Sequence, residues 1–227
     1  MSRRTISRRC AVATSLSLVV LALAACPGID ESARPPSEHG VAQDWADIRE
    51  TFGRYKDALK ARDGEAAADL VSAETLDYYE EMRQVAARAG PTEIRKHSLM
   101  NRLLITRMRI GIRLAALRKM TGREVFALGV EEGWSDAENT SRQELGEIKV
   151  DGDVANATQK TGLPSSYDFH REQGQWKLDL GAVIASVNFA FKQAAKESGQ
   201  TENEFLFALL ESATGRRVTQ AIWRKPG

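Results

Sequence analysis

The hydrophobic period of this chain changes once, and that change limits the fold more than any single residue does. From Asp44 to about residue 132, apolar side chains recur at three- and four-residue steps; after Trp134 they recur at two. The first spacing gathers side chains on one face of a helix, and the second gathers them on one face of a strand. A chain that runs helices first and strands afterwards is expected to fold as α+β, with a helical layer packed on a curved antiparallel sheet.

In the helical half, Trp45, Ile48, Phe52, Tyr55 and Leu59 make one apolar stripe, which Asp63-Gly64 ends. A short alanine-rich helix over 65–71 follows. Ser72 caps a third helix carrying Leu76, Tyr79, Met82, Val85 and Ala86, closed by Gly90-Pro91. Across 92–132 two stripes lie side by side. Leu99, Leu103, Ile110, Leu114 and Leu117 form one, and Met100, Leu104, Met108 and Ile112 the other, with breaks at Gly111 and Thr121-Gly122. So wide an apolar face needs more than one neighbour.

In the strand half, Ile148 and Val150 alternate with charges, Asp151-Gly152-Asp153 turns the chain, and 154–160 return. Tyr167 and Phe169 alternate with Asp168 and His170; after the turn at 172–175, Trp176, Leu178 and Leu180 alternate with Lys177 and Asp179. This reads as a meander of about four strands with one buried face. Two helices trail it. The first, over 182–197, points Val183, Ile184, Val187 and Phe191 inward. The second follows a Thr201-x-x-Glu204 capping box, presents Phe205, Leu206, Leu209 and Leu210, and stops at Gly215. Residues 218–223 read as a short edge strand.

The segment before this domain has its own logic. Residues 1–9 are basic, 11–25 are apolar and uncharged, and Leu23-Ala24-Ala25-Cys26 closes the run. An apolar stretch this short does not span a bilayer as a membrane helix. The four closing residues resemble the lipobox of bacterial lipoprotein precursors. Small residues precede the cut between Ala25 and Cys26, and the thiol of Cys26 accepts the diacylglyceryl group. Each buried methylene contributes ~0.8 kcal/mol, so two or three acyl chains hold a protein that one would not. Ser2-Arg3-Arg4-Thr5-Ile6 also resembles a degenerate twin-arginine export motif, which leaves the export route open. The resemblance implies a 1–25 signal peptide, a lipidated Cys26 with a flexible, proline-rich linker to residue 43, and a single domain over 44–227. That domain would be tethered outside the cytoplasm, to the cell membrane or the outer membrane.

Cysteine and charge counts then exclude several chemistries. The two cysteines are Cys10 and Cys26, so the domain itself has no thiol for a disulfide, a nucleophile or a metal site. Four of the 32 basic residues (Arg3, Arg4, Arg8 and Arg9) belong to the leader, so 28 basic residues remain against 31 acidic ones. A nucleic-acid partner is not expected from that balance. His97 and His170 are far apart in sequence, and no cofactor, metal or phosphate motif accompanies them.

The phrase VDGDVANATQKTG…YDFHREQGQWKLDL resembles the last two hairpins of the nuclear transport factor 2-like superfamily, through Gly152, Asp153, Ala155, Gly174, Trp176, Lys177, Leu178 and Asp179. The resemblance covers roughly 44–180 and reports hairpin geometry. It implies a cone in which the sheet curls around a pocket closed by the first helices; the two helices after Leu180 depart from the pattern. Enzymes of this superfamily that isomerise or cyclise carbonyl compounds set an Asp base beside a Tyr and a protonated acid. Tyr55, Tyr79, Asp168 and His170 are the candidate pocket residues on that reading, though no position matches an isomerase motif residue for residue.

A run of bases adds a second candidate. Between Ile94 and Arg123 there are nine basic residues and no acidic one. On a continuous helix Arg95, Arg102, Arg109 and Arg113 would line one edge, suited to lipid headgroups or an acidic polymer at ~1 kcal/mol per residue. The alternative, which the charge balance favours, is internal pairing with the acidic residues of 131–147.

The expected function is an envelope lipoprotein, non-catalytic, that binds a hydrophobic small molecule or an envelope protein partner. An isomerase- or lyase-type enzyme and a purely structural protein are the alternatives. An enzyme needs an Asp, Glu or His beside a Tyr in a closed pocket; a binding module needs an apolar pocket; a structural protein fills the cone, bringing Trp45, Phe52 and Trp176 into one core. Fractionation of cells expressing a Cys26→Ser variant tests the anchor: the protein is expected to leave the membrane fraction, and continued sedimentation with membranes would contradict acylation.

Overall fold

A computed structural model describes residues 38–135, 137–160 and 166–227. The leader, Cys26 and most of the linker lie outside the described residues, as does the side chain of His39. Eight helices come first: α1 (Glu38–Ala61), α2 (Gly64–Ala68), α3 (Ala73–Arg88), α4 (Pro91–Ile94), α5 (Leu99–Gly111), α6 (Leu114–Leu117), α7 (Gly122–Glu131) and α8 (Ala137–Ser141). Strands β1 (Leu145–Asp151), β2 (Val154–Gln159), β3 (Ser166–Glu172) and β4 (Gln175–Asp179) follow, then α9 (Gly181–Glu197), α10 (Glu202–Thr214) and a 3-10 turn at Gln220–Trp223. The class is α+β, and the sheet is antiparallel, curved and unclosed, in the order β1-β2-β3-β4.

Both hairpins are as tight as their sequences ask. Asp151 pairs with Val154 across Gly152-Asp153, and Glu172 pairs with Gln175 across Gln173-Gly174. Gln173 and Gly174 both sit at positive φ, the conformation whose twist matches the flanking strands. The buried face carries Ile148, Ala155, Ala157, Tyr167, Phe169, Trp176 and Leu178, and α1 lays Ile48, Phe52, Tyr55 and Leu59 against it. Both outer strands are covered. Leu70 and Val71 pair with Leu178 beyond β4, while Arg49 donates to the Leu145 and Gly146 carbonyls on β1.

A second core lies on the far side of α3. There Met82, Val85 and Ala86 meet Leu99, Ile105 and Met108 of α5, Val125 of α7, Leu206 and Leu210 of α10, and Trp223. Two glycines set the approach of α7: a Cβ on Gly64 would collide with the Ala127 carbonyl, and one on Gly122 with the Leu76 carbonyl and the Glu80 amide. Backbone therefore lies on backbone, and α7 is held rigidly against α2 and α3.

Several expectations are corrected. α1 begins at Glu38 and not at Asp44: the helix runs through Gly40, and Gln43 donates to Asp47 one turn on. Trp45 is 45% exposed and does not join Phe52 and Trp176 in the core. At that level Asp44 takes the inward position and accepts from Trp176 Nε1 (3.1 Å) and Arg171 Nη2 (2.7 Å). The two-residue period starts at Leu145; between it and Trp134 lies α8, with no buried residue and so no apolar period to read. Residues 218–223 form no strand. The indole of Trp223 is fully buried and donates to Thr106 Oγ1 (2.8 Å), which draws the C-terminal segment onto α5 in a 3-10 turn.

One carboxylate joins three elements. Asp179, at the end of β4, accepts from Ser72 Oγ (2.6 Å), Thr75 Oγ1 (3.3 Å) and the Gly181 amide (2.8 Å), while Ser72 Oγ also caps α3 at the Thr75 amide. Asp179→Ala removes a buried charged acceptor and leaves Ser72 and Gly181 to be satisfied otherwise. The expected loss is about 2–3 kcal/mol of unfolding free energy in urea titrations; a loss within measurement error would show that the network contributes nothing net.

Candidate functional site

A cavity of about 580 Å³ opens between the two cores. Tyr55 and Leu59 of α1, Tyr79 of α3 and Phe126 of α7 form one wall; Leu103, Leu104 and Arg107 of α5 form another. Tyr167 of β3 enters from the sheet. The trailing helices complete the enclosure, with Val183, Ile184, Val187 and Phe191 of α9 and Leu209 and Leu210 of α10. These are the α9 residues that the sequence pointed inward. They remain half-buried, and Ala195 is the buried residue of that helix, because α9 faces open space where a core helix would face side chains.

Aromatic contacts fix the tyrosine rings. Tyr79 stands edge-on to Phe126 at 5.0 Å between centroids, and Tyr167 tilts against Phe52 at 4.8 Å. The Tyr78 hydroxyl, beside Tyr79 on α3, donates to Asn101 Oδ1 (2.9 Å). The hydroxyls of Tyr55, Tyr79 and Tyr167 make no hydrogen bond to the described residues. Burial favours the neutral phenol at all four tyrosines: it pushes Tyr79 up to about 12 and raises Tyr55, Tyr78 and Tyr167 further. Tyr55 is raised additionally by its proximity to Tyr79 and Tyr167.

Arg107 supplies the charge. It reaches the cavity from α5, donates through Nη1 to the Trp134 carbonyl (2.9 Å), and has its affinity for a proton lowered by burial. Among the described lining residues there is no Asp, Glu or His. Among the described residues the site therefore offers neutral donors and one cation in an apolar enclosure.

Tyr55 and Tyr79 are thus brought together as the sequence suggested; Asp168 and His170 are not with them. Asp168 lies on the other face of the sheet and accepts from Asn156 Nδ2 (2.7 Å). His170, on the same face, places Nδ1 3.9 Å from Glu74 Oε2. Glu74, His170 and Asp179 approach closely enough to resemble a cation site, an arrangement drawn from three elements and invisible to spacing rules. Asp179, however, already accepts three protein hydrogen bonds.

The basic edge is also corrected. The segment is not one helix: it breaks between α4 and α5 and again between α5 and α6. Arg102 is buried and bound to Glu202 and Asn203. Arg109 donates to the carbonyls of Ala86, Ala89, Ile222 and Arg224. Arg95 and Arg113 are exposed on different elements. Among the described residues, the carboxylates that pair with this run lie outside 131–147: Glu65 and Asp69 bind Arg123, and Glu202 binds Arg102.

Sequence reasoning missed Arg107, Trp134 and Tyr167 as lining residues. Arg107 stood unremarked among nine bases, and the facing of Tyr167 depends on which side of the sheet the helices cover. No family model, no curated protein and no solved structure matches this chain.

The tyrosines give a pH test. Since the folded state holds its phenols protonated beyond their ordinary 10.0, the unfolded state is the one that ionises first, and stability falls as pH rises above 10. Tyrosinate absorbance of the native protein is expected to stay low through pH 11 and to rise only with unfolding, whereas the urea-unfolded chain titrates near 10. A native titration near 10 would show that the tyrosines are open to water.

Proposed function

We propose that this chain is a lipid-anchored envelope protein whose domain, of the nuclear transport factor 2-like type, binds a small hydrophobic molecule between its first helices and α9–α10. One observation carries the reading: the enclosure of about 580 Å³, walled by aliphatic and aromatic side chains with a few polar groups among them. Ligand sites have this composition and span about 300–1,000 Å³. The leader ending at Ala25-Cys26 supports the anchor. No helix among the described residues is long and apolar enough to cross a membrane.

The two alternatives draw less support. An isomerase- or lyase-type reaction needs a base at the substrate, and the described lining offers tyrosines and one arginine in its place. A purely structural role predicts a core filled by side chains, whereas α9 leaves its apolar face half-buried over open space.

Burial of apolar surface drives such binding, at roughly 25 cal/mol per Å² removed from water. The neutral dye N-phenyl-1-naphthylamine is expected to bind the purified protein saturably, with enhanced fluorescence. Val187→Trp, which fills the enclosure from α9, is expected to weaken it by at least about tenfold with an unchanged circular dichroism spectrum. Absence of saturable binding to the unsubstituted protein would remove this reading.

A further inference from the structure

The half-buried and buried arginines of the described residues are matched with one exception. Arg83 binds Glu80, Arg102 binds Glu202, Arg123 binds Glu65 and Asp69, and Arg171 binds Asp44. Arg109 has no carboxylate but donates to four backbone carbonyls. Arg107 has one bond, to the Trp134 carbonyl, and no carboxylate among the described residues. A guanidinium carries five N–H donors in a fixed fork, so four of those on Arg107 have no partner among the described residues.

Half-burying a cation without a carboxylate beside it is unfavourable, and an anion brought by a ligand relieves it. The uncommitted donors suit a carboxylate, whose two oxygens a guanidinium can bind side by side. Charge argues for one negative charge. Arg107 is the one ionic group on the described lining, and the other polar side chains there are neutral: the phenols of Tyr55, Tyr79 and Tyr167 and the hydroxyls and amides of Ser135, Asn139, Thr140, Gln143 and Ser212. A phosphate monoester would bring close to two charges to a single cation. Val183, Val187 and Phe191 of α9 give the same lining an apolar stretch that recognises only hydrocarbon.

Building on the reading of this enclosure as a ligand site, we infer that it takes an amphiphile with one compact negative charge, a long-chain carboxylate. The head lies on the Arg107 guanidinium and the chain runs along α9.

Displacement of N-phenyl-1-naphthylamine by three probes of equal chain length tests this: dodecanoate, dodecan-1-ol and dodecyl phosphate. Dodecanoate is expected to compete about 10- to 100-fold better than dodecan-1-ol, the value of a hydrogen-bonded charge. Arg107→Met is expected to abolish that preference, and Arg107→Lys to keep part of it. Equal competition by acid and alcohol, or a preference that survives Arg107→Met, would overturn the headgroup assignment and leave the apolar site standing. Stronger competition by dodecyl phosphate would overturn the carboxylate. If Arg107→Met fails to bind dye, the comparison of acid with alcohol on the unsubstituted protein decides alone. Failure of that protein to bind dye would end both readings together.

Discussion

The buried carboxylate of Asp179 holds the architecture together. Its oxygens are spent on a cap residue of α3, on Thr75 one turn later, and on the first amide of α9. The end of the sheet, the start of the helix over the first core and the start of the helix closing the enclosure are thereby fixed relative to one point. Desolvating a carboxylate is unfavourable unless its acceptor sites are filled. Here three donors fill them, so the same residue that closes a strand sets where α9 begins. The Leu180 amide donates to Thr75 Oγ1 (3.0 Å) and tightens the same junction.

From that junction α9 departs over a space that neither core fills. The first core is packed by the sheet and α1, and the second by α3, α5, α10 and Trp223. Tyr79 touches both, at the boundary where the enclosure lies. The site is thus a consequence of two cores that meet imperfectly, with α9 laid across the gap. Its chemistry follows from the elements at the boundary: aromatic from α1, α3 and β3, aliphatic from α9 and α10, and one cation from α5.

Much of this was legible in the residues. The change of period separated helices from strands, Ser72 and Thr201 marked the helix starts they cap, and the two hairpins fell where glycine allows a left-handed turn. What could not be read was the outcome of competition between neighbours. Asp44 displaced Trp45 from the core because an indole N–H needs an acceptor, and Trp223 left no strand because its own indole found Thr106. Half of the candidate site was visible, through Tyr55 and Tyr79. The face of a strand cannot be assigned from alternation alone, which is why Asp168 and His170 joined them in sequence but not in space. Arg107 was hidden for the converse reason: its distinction lies in a missing partner, which only packing defines.

The glycine contacts of α7 have a mechanical consequence. With Gly64 and Gly122 admitting no side chain, that wall is a stack of main chains and yields little to pressure from within. α9, secured at its start and bearing one fully covered residue along its length, is the compliant side. A guest larger than the resting space would be accommodated by displacement of that one helix, while the tyrosine-bearing elements kept their positions.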